Sequence, residues 1–228
     1  MQTVILAGGI GTRLRPLTHK IPKPMVKVHN KPFLEHLLQL VKSYGLSDIL
    51  ILASYLGTQI EDYFGDGSSF GLKIKYSYEE TPLGTGGALK NAEKMLANNF
   101  VLLNGDTLLP INYSDLVEQF QSLGKLGVIV AYSNPEKTIK NNLSVADNGS
   151  VLKYDKANAQ DMTHIDAGVI VLNKKVLGYI SDKSICSLES EIFPQLIQNH
   201  QLHAFKTEHK FYDMGSMEGL KNIEEILA

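Results

Sequence analysis

Over its first 131 residues the chain alternates short, mostly apolar runs with stretches whose apolar residues recur every three or four positions, and few folds suit that alternation. The runs lie at 3–7, 48–52, 72–78, 100–103 and 126–131 and are rich in Val, Ile and Leu. Strands buried on both faces need near-continuous apolar runs, whereas half-exposed strands alternate apolar with polar residues. Between the runs, Phe33, Leu37, Leu40, Val41 and Tyr44 share one helical face. So do Leu89, Ala92, Met95 and Leu96, and likewise Leu116, Val117, Phe120 and Leu123. This β-α-β-α rhythm predicts an α/β fold with a mixed, mainly parallel central sheet and helices on both faces.

The second half reads differently. Residues 143–146 and 151–154 flank Asp147-Asn148-Gly149-Ser150, a hairpin turn by its chemistry, and imply a small β-rich lobe. Further strands are expected at 166–172 and 202–207, and a helix at about 188–199. In the last helix Met217, Leu220, Ile223, Ile226 and Leu227 are expected on one side. At 228 residues, without a repeat or a low-complexity linker, the chain reads as a single domain.

Net charge of -2 gives no general case for nucleic acid or an anionic membrane as partner. One cysteine, Cys186, leaves no internal disulfide to form, which fits a reducing compartment. No basic n-region with an apolar h-region opens the sequence, and no apolar run nears the roughly 20 residues needed to span a bilayer. The expected location is the cytoplasm.

The first apolar run feeds directly into Ala7-Gly8-Gly9-Ile10-Gly11-Thr12-Arg13-Leu14-Arg15-Pro16. The loop carries Arg13 and Arg15, the only two arginines among 22 basic residues. Arginine presents a planar fork of donors that matches phosphate oxygens, where lysine is a point charge. Up to Leu34 there are six basic residues and no acidic one. The loop is not a P-loop, and Thr12-Arg13-Leu14 takes the place of the third glycine of a dinucleotide fingerprint, which argues against an NAD-dependent oxidoreductase. The glycines alone equally suit a tight strand-to-helix turn. Pro22 and Pro24 stiffen the backbone around Lys23 and would aim its ammonium at a fixed point, although a lysine in a proline loop is also commonly just solvated.

Asn104-Gly105-Asp106 ends the fourth run, where open α/β sheets bind ligands; it is also an ordinary turn. Asp213, after Phe211-Tyr212, is either a second carboxylate for Mg²⁺ or a helix cap. Thr81-Pro82-Leu83-Gly84-Thr85-Gly86-Gly87-Ala88 would let a flat base lie on the backbone, or is simply helix-entry chemistry. Asp155-Lys156 closes a strand and could meet a second phosphate; Asp166-Ala167-Gly168 could accept sugar hydroxyls; Asn142 is a polar site residue or part of a loop. The seven histidines show no zinc-ligand spacing.

In this order, these segments resemble the sugar-1-phosphate nucleotidyltransferases (NDP-sugar pyrophosphorylases). The signature is Gly8 to Thr18 with Pro22-Lys23-Pro24-Met25, followed by Pro82 to Ala88, Asn104-Gly105-Asp106, Asp155-Lys156, Asp166-Ala167-Gly168 and Tyr212-Asp213-Met214-Gly215. The resemblance covers essentially the whole chain. It implies a Rossmann-like nucleotidyltransferase fold without the β-helix domain some relatives add, with a nucleotide-binding half at about 1–110 and a sugar-binding half at about 111–228. It implies Arg13, Lys23, Asp106 and Asp213 as the catalytic set, with Asp106 and Asp213 holding Mg²⁺. Leu6, Ala7, Gly8, Gly9, Gly11, Thr12, Glu80, Pro82, Gly84, Thr85 and Gly87 would join Arg13 and Lys23 around the nucleotide. Gly105, Asn142, Asp155, Lys156, Asp166 and Gly168 would bind the sugar phosphate.

Relatives often have Glu-Lys where this chain has Asp155-Lys156, and Asn-Gly-Gly or Asn-Ala-Gly where it has Asp166-Ala167-Gly168. The implied reaction joins an NTP and a sugar 1-phosphate into an NDP-sugar and pyrophosphate. The Pro-Leu-Gly-Thr-Gly-Gly form is similar to guanylyltransferases of mannose-type or manno-heptose 1-phosphates. The alternatives are a uridylyltransferase of N-acetylmuramate 1-phosphate or another hexose 1-phosphate, and an inactive nucleotide-sugar sensor. A homodimer is compatible with the sequence but not required by it.

Overall fold

A computed structural model describes residues 1–137, 139–181 and 185–228. In chain order the first half contains β1 (Gln2–Leu6), β2 (Lys27–Val28), β3 (Lys31–Pro32), α1 (Phe33–Ser43), β4 (Asp48–Ala53), α2 (Thr58–Phe64), β5 (Lys73–Tyr78), α3 (Gly84–Asn91) and β6 (Asn99–Asn104). The second half contains β7 (Thr107–Leu108), α4 (Tyr113–Leu123), β8 (Gly127–Tyr132), β9 (Leu143–Val145), β10 (Val151–Tyr154), β11 (Ile165–Asn173), α5 (Phe193–Gln198), β12 (Leu202–Thr207), β13 (Tyr212–Asp213) and α6 (Met217–Ile226).

Seven strands form one sheet in the order β12-β8-β11-β6-β1-β4-β5. All neighbours run parallel except β11, which is antiparallel to both β6 and β8. The mixed, mainly parallel sheet expected from the apolar runs is therefore present. β1 is central, and Thr3, Val4 and Ile5 are fully buried, because β1 has a strand on each side and a helix layer on each face. Alternate residues serve the two faces. Ile5, Ile51 and Leu103 pack with α1, α2 and α4, while Val4, Leu50 and Leu102 pack with α3 and α5. Each fully buried Leu, Ile or Phe contributes about 1.5–3 kcal/mol. The β9–β10 hairpin turns at Gly149 (φ +86°), with Ser150 N donating to Asn148 Oδ1 at 2.9 Å, and rests on the α5 side.

Three helical expectations need correction. The helix expected at 188–199 opens as a wide π-helical turn over Leu188–Ile192 before α5. Pro194 has no N–H to offer to the preceding turn, so a regular α ladder cannot run through it. The face Leu89 to Leu96 is split, since α3 stops at Asn91 and a single 3-10 turn, Glu93–Met95, follows. In α6 only Leu220 and Ile223 are buried, whereas Met217 and Ile226 are exposed. Among the described residues, no helix is long and apolar enough to cross a membrane.

Candidate active site

The C-terminal ends of β1, β4 and β6 open on a cleft of about 360 Å³. Leu6, Ala7, Gly8, Gly9, Lys23, Pro82, Gly84, Thr85, Gly105 and Asp106 line it, together with Glu79 and Asn104. Open α/β sheets bind ligands at this edge. The glycine loop is tied in place from both sides: Ala7 N donates to Leu52 O at 2.8 Å and Gly105 N to Leu6 O at 2.9 Å. A Cβ on Gly105 would lie 2.6 Å from Leu6 O, so only glycine lets β6 end against β1. Gly11 has φ +67°, and its carbonyl accepts Thr18 Oγ1 at 2.7 Å and Leu14 N at 3.0 Å. That fold-back seats the loop on Lys23, whose Cβ is 3.1 Å from where a Gly11 Cβ would be. Gly9 has no heavy atom within 4 Å of its missing Cβ and faces open space.

Leu14 is fully buried with Val26, Val28, Phe33 and Met214, which anchors the turn carrying exposed Arg13. Both arginines are exposed and neither lines the cleft; Arg13 instead stands beside Asp213 and Gly215. Gly11 and Thr12 likewise shape the loop rather than the cleft wall.

Lys23 is only 7 % exposed, in a turn closed by Met25 N to Pro22 O at 2.8 Å. Its Nζ donates to Asp106 Oδ2 and lies 3.9 Å from Asp213 Oδ1. Asp106 and Asp213 are 107 positions apart in sequence, and a two-residue ladder joins them. Thr107 of β7 pairs antiparallel with Asp213 of β13, and Met214 N donates to Asp106 O at 2.8 Å. Burial and then the Asp106 charge push the Asp213 carboxyl up, while Lys23, Arg13 and the Gly215 N–H pull it down. A Cβ on Gly215 would stand 2.6 Å from Asp213 Oδ2 and 2.7 Å from Arg13 Nη2, so both charged groups converge on that glycine. Asp213 O would meet a Cβ on Gly219 at 2.0 Å, and Ser216 Oγ caps α6 at Gly219 N (3.0 Å). Asp213 thus precedes the capping residue instead of being the cap.

The second glycine loop forms the opposite lip. Gly86 N and Gly87 N both donate to Cys186 O, at 2.9 and 3.2 Å, and a Cβ on Gly84 would meet that oxygen at 2.5 Å. These glycines make room for the chain around Cys186, and the Gly87 amide is not free for a ligand. Gly84 and Thr85 do face the cleft. Of two adjacent carboxylates, Glu79 lines the cleft and Glu80 is exposed outside it, a correction to the sequence expectation. Glu79 Oε2 accepts Leu83 N at 3.2 Å, and burial raises its carboxyl above the usual range against the pull of Leu83 and Ser54.

A smaller pocket continues from the cleft past Asn104 to Asp166, Gly168, Glu189 and Phe193. β11 bulges after Asp166, which still pairs with Ala131, and leaves Ala167 and Gly168 out of both ladders. Asp166 accepts Tyr154 OH and Gly168 N, each at 2.9 Å, and its own N donates to Asn142 Oδ1 at 2.8 Å. Asn142 O also accepts Asp155 N at 2.9 Å, so Asn142 braces two strands behind the pocket. Asp155 is turned into its own loop, accepting Ala157 N at 2.8 Å and Asn158 N at 3.0 Å, bonds that lower its carboxyl. Neither residue lines the pocket, in contrast to the expectation. Lys156 does not line the pocket either; it is exposed and reaches Glu189 Oε1 at 3.5 Å. No sequence motif had singled out Glu189; its cue is the Ser187-Leu188-Glu189 step just before Phe193-Pro194.

Several known proteins share this arrangement of chain. A UTP–glucose-1-phosphate uridylyltransferase from Synechocystis is 31% identical over 95% of this chain, which spans 61% of that relative's length. A D-glycero-alpha-D-manno-heptose 1-phosphate guanylyltransferase from Aneurinibacillus thermoaerophilus is 30% identical over 94% of this chain and 93% of its own. The crystal structure of HddC from Yersinia pseudotuberculosis complexed with GMP-PN superposes with a TM-score of 0.82 at 31% identity, covering 100% of this chain and 99% of that one. The sequence pattern of the nucleotidyl transferases runs unbroken from residue 2 to residue 228, and the chain belongs to that family.

Proposed function

We propose that this protein transfers a nucleoside monophosphate from an NTP, GTP by preference, to the phosphate of a sugar 1-phosphate, releasing pyrophosphate. The observation that carries this reading is the Asp106–Lys23–Asp213 cluster at the mouth of a glycine loop, one pocket away from Lys156. A sugar phosphate oxygen attacks the α-phosphorus in line; the new P–O bond forms as the bond to the β-phosphate bridge breaks. A phosphate monoester is already ionised near neutral pH, with its second pKa at about 6, so no general base is required. The task of the chain is to hold two polyanions together and offset their repulsion. The loop amides and Arg13 serve the triphosphate, Lys23 the phosphate that changes partners, and Lys156 the sugar phosphate. Residues 1–110 make the nucleotide wall and residues 111–228 the sugar wall, with Asp213 crossing over to the first.

Asp106 and Asp213 fit Mg²⁺, which takes one or two carboxylates plus substrate phosphates, and the Asp213 carboxyl is under like-charge pressure that a cation relieves. When bound, Mg²⁺ would neutralise the triphosphate. Glu79 supports guanine: a carboxylate accepts from the N1–H and N2 amino group together, whereas uracil presents carbonyl oxygens on either side of its single N–H. HddC was crystallised with GMP-PN, in line with this choice. The uridylyltransferase relative supports a second reading, with UTP and glucose 1-phosphate. The cytoplasm suits both substrates and the free, buried Cys186.

Pyrophosphate release with Mg²⁺, crossing GTP, UTP, CTP, ATP and dTTP with a panel of sugar 1-phosphates, tests this reading. GTP with a mannose-type or manno-heptose 1-phosphate should give the highest kcat/KM. A clear UTP preference would replace the first reading by the second, and silence from folded protein would contradict both.

A further inference from the structure

Glu189 sits where the two walls meet. Its Oε2 accepts Thr85 Oγ1 from the base loop at 2.7 Å and Ser187 Oγ at 2.8 Å, and among the described residues Oε1 pairs with Lys156 at 3.5 Å. Although burial works to raise its carboxyl, the Thr85 hydroxyl and the Lys156 charge hold it below the ordinary range. Asp166 faces the same pocket with both oxygens already bonded, and burial pushes its carboxyl up against the pull of the Gly168 N–H and the Tyr154 hydroxyl; none of the described residues lining that pocket is basic. A standing anion and a second carboxyl therefore border a small space. Lys156, the cation at its edge, is already shared with Glu189 and must turn to the incoming 1-phosphate.

We propose that Glu189, standing beside the buried Asp166, makes the sugar subsite accept hydroxyls and exclude anions, restricting the second substrate to neutral polyhydroxy sugar 1-phosphates. Sugar hydroxyls donate to carboxylates, whereas a sugar carboxylate has only acceptors and would face these oxygens unpaired. The inference rests on the reading of the second substrate as a sugar 1-phosphate. It rejects sugars with a second acid group, N-acetylmuramate 1-phosphate with its lactyl carboxylate among them.

The test compares mannose 1-phosphate with mannuronic acid 1-phosphate, and glucose 1-phosphate with glucuronic acid 1-phosphate, by steady-state kinetics and by calorimetric binding. The neutral sugar should be preferred by about 100-fold or more in kcat/KM, as for other like-charge juxtapositions. Glu189→Gln, which keeps the shape and one acceptor oxygen for Thr85 and Ser187 but removes the charge, should narrow the ratio about tenfold by improving the uronic substrate relative to the neutral one. Equal use of both sugars by the unaltered protein, which needs no variant, would overturn the proposal; so would an unchanged ratio in folded Glu189→Gln. If no sugar 1-phosphate binds or releases pyrophosphate while GTP still binds, the sugar reading itself falls and takes this proposal with it.

Discussion

The two walls of the cleft are built in different ways. The wall proposed for the nucleotide is largely strand ends and glycine loops, and its most local part, a strand end, a glycine loop and a lysine clamped between prolines, lies within residues 2–25. The wall proposed for the sugar is side chains from distant elements, with Glu189 bonded to Thr85 and Lys156, and Asp166 bonded to Tyr154 and braced by Asn142. The first depends on glycines that allow close approach, and the second on a hydrogen-bond network. Damage to the first should act on chemistry while sparing the fold, and damage to the second should change substrate affinity and stability together.

The largest effect is expected at the junction. Asp106→Asn should lower kcat by about a thousandfold, on the scale of removing one electrostatic element from a catalytic site, with an unchanged circular dichroism spectrum. Near-normal turnover in that variant would remove Asp106 from the chemistry. Gly215→Ala comes next. Its Cβ would displace the flexible ends of Arg13 and Asp213, not backbone, so the melting temperature should hold while kcat/KM falls roughly tenfold to a hundredfold. A loss of stability with no loss of rate would reverse that assignment.

Where the two walls meet, Thr85→Val removes the hydroxyl that donates to Glu189 and accepts Leu188 N at 2.9 Å. The variant should lose about 1–3 kcal/mol of stability in urea unfolding and show a raised KM for the sugar. The smallest effect concerns pH. The Glu189 carboxyl is held low in the folded protein, so its stabilising contribution is present above the ordinary glutamate pKa of about 4.3 and is lost as pH falls through the lower folded value. The stability gap between the unaltered protein and Glu189→Gln should therefore be full at neutral pH and shrink below about pH 4. A gap that widens in acid would contradict the network.

What could be read from the sequence follows the same division. The buried strands announced themselves because burial on both faces demands unbroken apolar runs: 3–7 was expected for Gln2–Leu6 and 126–131 for Gly127–Tyr132, while at the sheet edge the expected 202–207 matches β12 throughout. Lys23 and Asp106 were legible because their local motifs fix their positions. Which of Glu79 and Glu80 faces inward was not, since a one-residue shift beyond a strand end reverses the side and nothing local decides between two neighbouring glutamates. Glu189 stayed hidden because its partners lie 104 and 33 positions away, as did the β7–β13 ladder, two residues long and without a periodic pattern. α2 was also missed, being only seven residues with two of them buried.

The most direct test of the account is to weaken each wall separately and measure both Michaelis constants. Arg13→Met should raise KM for the NTP about tenfold or more and leave the sugar 1-phosphate constant within twofold, Lys156→Met should do the converse, and the double variant should show both effects combined without interaction. If both substitutions moved the same constant, or Lys156→Met left the sugar constant unchanged, the division of the cleft into a nucleotide wall and a sugar wall would be wrong.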